Sequence, residues 1–97
     1  MEKWSAKEVE SKLEKGMLNI VDVREVDEVK EGRIPDSVNI PLGLLEFRMH
    51  ELDKNKEYVL VCRSGGRSGR ACQLLKSHGF KVVNMEGGML AWEGRTE

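Results

Sequence analysis

The sequence predicts an α/β sandwich built around a mostly parallel sheet. Two observations carry this. Tyr58-Val59-Leu60-Val61 is apolar throughout, without the alternation of a strand that has one wet face. It therefore reads as a strand buried on both sides, the condition of parallel strands covered by helices. Around it, short apolar runs alternate with stretches of helical spacing along the chain, the order that strand-helix-strand units produce.

The elements follow in order. Ser5 and Glu8 form an S-x-x-E capping box that opens a helix. Val9 and Leu13 make its buried stripe, and Gly16 closes it. Leu18 to Val23 is a short apolar run, read as a strand. A brief helical turn runs through Glu28 and ends at Gly32. Val38-Asn39-Ile40, ahead of Pro41, is a second short strand, and Leu42 to Leu52 has helical spacing through Leu44, Leu45 and Met49. After the central strand, Ser68 to His78 is the best-formed helix, with Ala71, Cys72, Leu74 and Leu75 facing inward. Lys76 and His78 place positive charge in its last turn, where the helix dipole favours it, and Gly79 stops it. Lys81 to Asn84 is another strand and Gly88 to Glu93 a closing helix.

Length and charge narrow the function. The 97 residues make one domain, 1–97, long enough to bury a core without disulfide staples. Sixteen basic residues against 17 acidic ones leave a net charge of −1, which calls for neither nucleic acid nor an anionic membrane as partner. Met1 to Ser5 leads directly into a charged helical pattern rather than an apolar signal region, and the apolar runs are far too short to span a membrane. Two cysteines in this context point to a reducing, cytoplasmic compartment and free thiols. Cys62 and Cys72 lie ten apart with only His50 and His78 to help. That matches no zinc spacing, so neither a metal site nor a cofactor is expected.

The chemistry concentrates in Cys62-Arg63-Ser64-Gly65-Gly66-Arg67-Ser68. A cysteine leaves the central strand, a tight loop with two glycines follows, and a helix begins. Ligands of parallel sheets bind at the carboxyl ends of the strands, where this cysteine sits. Gly65 and Gly66 allow positive φ angles, so the loop can curl and turn successive N–H groups toward one centre. The free N–H groups of the new helix point to the same place, and Arg63, Arg67 and Arg70 add positive charge. All of this favours an anion at the Cys62 sulfur, as a thiolate or, with a second sulfur attached, as a persulfide. Arg67 is expected to reach the loop mouth and hold an anionic donor. No general base is needed, since neither His50 nor His78 stands near a strand end. The plain alternative, that Cys62 is only a small apolar residue ending a strand, leaves the loop unexplained. Cys72, mid-helix beside Ala71 and Leu75, reads as core, with a resolving thiol as the lesser alternative.

At these residues the chain resembles the rhodanese family. Cys62 to Ser68 resembles its active-site loop. Asp22-Val23-Arg24 with Glu28 resembles the motif after its second strand. Gly32-Arg33-Ile34-Pro35-Asp36-Ser37-Val38-Asn39-Ile40-Pro41 resembles Gly-His-Ile-Pro-Gly-Ala-x-Asn-Ile-Pro, with Arg33 for His and Asp36-Ser37 for Gly-Ala. Gly87-Gly88 and Trp92 resemble the closing Gly-Gly-x-x-x-Trp. The resemblance implies a three-layer sandwich of five parallel strands with helices on both faces. Its first strand lies around Trp4, where the apolar pattern alone shows none. It also implies a sulfurtransferase. Cys62 is the catalytic residue, and Arg63, Ser64, Gly65, Gly66, Arg67 and Ser68 bind substrate. The donor is a small molecule such as thiosulfate or a protein persulfide, and the acceptor is a thiol, cyanide or a protein. Asp22 and Arg24 read as framework residues, Gly87 and Gly88 as a close approach to the loop, and Trp92 as core.

Two rival functions bear on the same residues. Cysteine phosphatases, and arsenate reductases of related type, use C-x5-R, which would put arginine at position 68. Here serine stands at 68 and arginine at 67, a tighter ring that suits one sulfur atom better than a tetrahedral oxyanion. A binding module that has lost its nucleophile is disfavoured by the complete loop.

Overall fold

The computed structural model describes residues 2–16 and 18–97. Five strands, β1 (Lys3–Ser5), β2 (Asn19–Asp22), β3 (Val38–Asn39), β4 (Glu57–Val61) and β5 (Lys81–Glu86), alternate with helices α1 (Ala6–Lys15), α2 (Val26–Lys30), α3 (Leu42–Arg48) and α4 (Gly66–Ser77). All strand pairs are parallel, in the order β1-β5-β4-β2-β3. The expected five-stranded α/β sandwich is the observed fold.

β4 is central because its side chains are apolar in both directions. Tyr58, Leu60 and Cys62 pack with Ala71, Cys72 and Leu75 of α4 and Leu45 of α3 on one face. Val59 and Val61 pack with Ala6 and Val9 of α1 and with Met85 on the other. β2 is aligned with it so that Asp22 pairs with Val61, and β5 so that Asn84 pairs with Leu60. Cys62, one residue beyond β4, therefore leaves the sheet between these two neighbours.

The reading from sequence is corrected in several places. The first strand implied around Trp4 by the resemblance is present, and only the apolar pattern missed it: β1 is an edge strand, three residues long and paired only with β5. The capping box at Ser5 and Glu8 forms in both directions, but Gly16 ends α1 with φ 174°, extended backbone open to any residue, so no left-handed cap operates there. Leu13 and Leu74 are half-buried rather than core. The helix expected from Leu42 to Leu52 is α3 followed by a 3-10 turn at Met49–Glu51, and the closing helix is a 3-10 turn at Gly88–Ala91. α4 begins at Gly66, two residues before the expected Ser68. Among the described residues no helix is long and apolar enough to cross a membrane, and no cluster of three or more His, Cys, Asp or Glu stands where it could hold a metal ion.

Candidate active site

The loop from Cys62 to Gly65 turns β4 into α4, and Gly65 makes the turn. It caps the helix with φ +106°, the left-handed region that favours glycine. Gly66, by contrast, is an ordinary first residue of the helix, so only one of the two glycines takes positive φ. The resulting curl sends the Gly65 N–H to the Cys62 Sγ at 3.0 Å. The Ser68 hydroxyl oxygen lies 3.4 Å from it, and the backbone N–H groups of Ser64 and Ser68 also favour the charged sulfur.

A second segment holds the outside of the loop. After β5 the chain turns at Gly87 and Gly88, and the next two N–H groups grip loop carbonyls: Met89 donates to Cys62 O at 2.8 Å and Leu90 to Arg63 O at 3.0 Å. With the carbonyls drawn outward, the loop's N–H groups are left to face the sulfur. Gly88 is required for this approach. A Cβ there would lie 2.5 Å from the Arg63 carbonyl carbon and oxygen and from Cys62 O, at φ +56°.

The electrostatics of the sulfur follow from these contacts. Burial pushes the Cys62 thiol up. The Ser68 hydroxyl and the N–H groups of Ser68, Gly65 and Ser64 outweigh it, so the thiol is held below its ordinary value. Hydrogen bonds, rather than the arginines, lead the lowering.

Residues 5–95 match the rhodanese-like domain. The chain belongs to that family. It is 55% identical over 80 residues to the Bacillus subtilis protein YtwF, whose name marks it as a candidate sulfurtransferase, covering 82% of this chain and 78% of that one. An Allochromatium vinosum sulfurtransferase is 42% identical over 74 residues, covering 75% and 69%. The crystal structure of a rhodanese-like domain protein from Staphylococcus aureus superposes with a TM-score of 0.94 at 36% identity, covering 100% and 97% of the two chains.

Within this rhodanese-like domain the arginines divide. Arg67 does not project freely from the loop mouth, as the sequence suggested. It lies in the first turn of α4, and its guanidinium forms a two-pronged pair with Glu28 of α2, at 2.7 and 2.8 Å. That pair holds the Glu28 carboxyl down at about 2. Arg24 anchors the same helix from below: it is buried, paired with Asp22, and donates to the carbonyls of Glu28 and Gly32. Asp22 and Arg24 are thus framework residues, as expected. Arg63 is exposed and lines a cleft of about 320 Å³ with Glu28, Glu31 and Leu90. A larger concavity, about 700 Å³, opens against α1 and the Pro35–Asp36 turn and contains none of the loop residues. Arg70 is exposed one turn into α4.

Two partners of the loop were not assigned from sequence. Glu28 was noted only as part of a motif; nothing local says that it meets Arg67, 39 residues away. Asn84 carried a signal, as a lone amide inside the apolar run Val82–Met85, and it reaches both Ser68 and Gly65. The family departure at Asp36 also has a physical account. Asp36 has φ +64°, so the residue standing where the family pattern has glycine adopts the conformation glycine would favour.

Cys72 lies in α4 against the same core as Cys62. Burial pushes its thiol up to about 12. A thiol that stays protonated cannot attack a disulfide or persulfide, so the resolving-thiol alternative is not supported.

Proposed function

We propose that this protein is a sulfurtransferase that carries a sulfane sulfur as a persulfide on Cys62. The observation that carries the reading is the set of donors about one sulfur: the Gly65 N–H and the Ser68 hydroxyl converge on Sγ, and the N–H groups of Ser64 and Ser68 add to the pull on its charge. Such a set stabilises charge at the sulfur without a base beside it. The Cys62 thiolate attacks the outer sulfur of thiosulfate, the S–S bond of the donor breaks, and sulfite leaves with the electron pair. The product is Cys62–S–S⁻, whose outer sulfur carries the charge. An acceptor thiolate or cyanide then attacks that outer sulfur and Cys62 leaves as the thiolate, so the two half-reactions balance.

The remaining loop residues have assigned parts. Ser64, Gly65 and Ser68 hold the charge. Gly66 starts the helix without a side chain at the mouth. Arg63, exposed beside the cleft, meets an anionic donor. Arg67, committed to Glu28, fixes the loop rather than the donor. A protein acceptor is also consistent: a Bacillus subtilis relative, 48% identical, bears a sulfur-carrier name, and the chain spans 44% of its length. The one-residue-short ring weighs against phosphate, and the complete set of donors at Cys62 weighs against a module that only binds.

Thiosulfate-to-cyanide sulfur transfer by wild type and by Cys62→Ser tests this. The wild type should turn over and the variant should not, with an unchanged circular dichroism spectrum. Equal activity in both would refute the proposal.

A further inference from the structure

Asn84 is a buried polar side chain that the transfer chemistry above does not use. It points from β5 at the loop, and its amide spans two groups there. Nδ2 donates to the Gly65 carbonyl at 3.2 Å, and Oδ1 lies 2.5 Å from the Ser68 Oγ. The Gly65 carbonyl decides which way the amide faces, because the reversed amide would set two carbonyl oxygens against each other. Oδ1 can then only accept, and Ser68 is its donor.

Ser68 has one hydroxyl proton. The Cys62 Sγ lies 3.4 Å from the same oxygen. The Gly65 carbonyl, 3.2 Å from the hydroxyl, is a third acceptor, but it already receives the Asn84 Nδ2 proton. The contest for the single proton is between the nearest acceptor, Asn84 Oδ1, and the sulfur, and the charge on the sulfur decides it. A neutral thiol is a weak acceptor and loses to the amide oxygen. A thiolate is a strong one and wins.

We propose that Asn84 is a positioning residue acting through Ser68, drawing the hydroxyl proton away from Cys62 when Sγ is neutral and yielding it when Sγ is anionic. The consequence for turnover rests on Cys62 being the sulfur carrier. In the persulfide the inner Sγ is a neutral two-coordinate sulfur, and the charge has moved to the outer atom. The hydroxyl then turns back to Asn84. Asn84 thereby favours the loaded enzyme over the empty thiolate. Nothing but the O–H bond direction changes. Arg67 is paired with Glu28, and that pair is unaltered in every variant below.

Asn84→Leu keeps the branched shape and removes both polar ends. The pH dependence of Cys62 alkylation should shift down by about half a unit, the scale of a modest neutral hydrogen bond. Ser68→Ala should shift it up, and Asn84→Leu added to Ser68→Ala should shift it no further. In wild type, which needs no substitution to fold, the side-chain amide resonances of Asn84 should move with the Cys62 ionisation midpoint and lose that movement in Ser68→Ala. An upward shift in Asn84→Leu, an equal shift in the Ser68→Ala background, or amide resonances that stay flat would each overturn the proposal. Absence of sulfur on Cys62 after thiosulfate, with these shifts present, would instead overturn the transfer function and leave the proton switch standing.

Discussion

The two cysteines are ten residues apart and share one core cluster, yet their thiols are driven in opposite directions. Cys72 sits inside α4, where every nearby backbone N–H is already spent on the helix. No hydrogen bond then opposes burial, and the thiol rises to about 12. Cys62 is just as buried, but it lies where a strand has ended and a helix has not yet closed its first turn. There the N–H groups have no helical partner, and they turn to the sulfur. The lesson is that depth does not make a cysteine inert. What matters is whether the surrounding backbone still has donors to give.

The change that should break this contrast most severely is Gly88→Ala. A methyl group would be driven into the backbone of Cys62 and Arg63, with no flexible side chain to give way. We expect loss of at least about 2 kcal/mol of stability, within the range of backbone collisions at special φ, and a Cys62 thiol that titrates like Cys72 or an ordinary cysteine. Urea unfolding with alkylation against pH measures both; a fully active, wild-type-like variant would show that the loop does not depend on this approach.

Glu28→Gln comes next. It leaves Arg67 without its carboxylate partner, so sulfur loading should slow by several-fold while the Cys62 ionisation moves little. The pair is partly exposed, so the stability change should be about 1 kcal/mol or less. Because Glu28 is held at about 2, its contribution is present above the unfolded value near ~4.5 and is lost as pH falls from there toward 2. Loading rates at neutral pH and melts from pH 6 to 3 check each half. A stability difference from wild type that persisted unchanged at pH 3 would contradict the assigned cause.

Cys72→Ala sharpens the contrast from the other side. Sulfur transfer should be retained and stability reduced by about 1 kcal/mol, as for trimming a small core group. The sign of its pH dependence is distinctive. Cys72 ionises near ~8.5 when unfolded but near about 12 in the fold. Its contribution is therefore complete below the unfolded value and is lost as pH rises above it, by up to roughly 1.4 kcal/mol per pH unit. The gap between wild type and Cys72→Ala should close and then reverse between pH 8 and 10. Cys62, with its depressed value, has the reverse linkage: its contribution is present above the unfolded value and fades as pH falls through the folded one.

The smallest expected effect is at Asp36. Asp36→Gly should raise stability by about 0.5–1 kcal/mol through relief at φ +64°, without touching either thiol. A lower melting temperature would show that the aspartate side chain makes a contribution larger than its strain.

These contrasts mark what could be read in the sequence. β4 and the loop after it were legible because their information is local: an unbroken apolar run, a cysteine, glycines, and small residues opening a helix. β1 was not legible from pattern, because a three-residue edge strand with no fully buried side chain has no periodicity to display. Arg67 was misplaced for a related reason. Its position in the loop is local, but its partner Glu28 is brought to it only by the order β4-β2 in the sheet and the seating of α2. Asn84 shows the intermediate case, where a polar residue in a buried strand announces that it has a partner without saying which.

The central claim is that the donors around Cys62 make it, and not its neighbour in the core, the sulfur carrier. Peptide mass spectrometry of wild-type protein after thiosulfate treatment, with alkylation and proteolysis, tests both thiols in one sample. The account predicts the added mass of one sulfur atom on the Cys62 peptide and none on the Cys72 peptide. Sulfur on Cys72, or on neither, would contradict it.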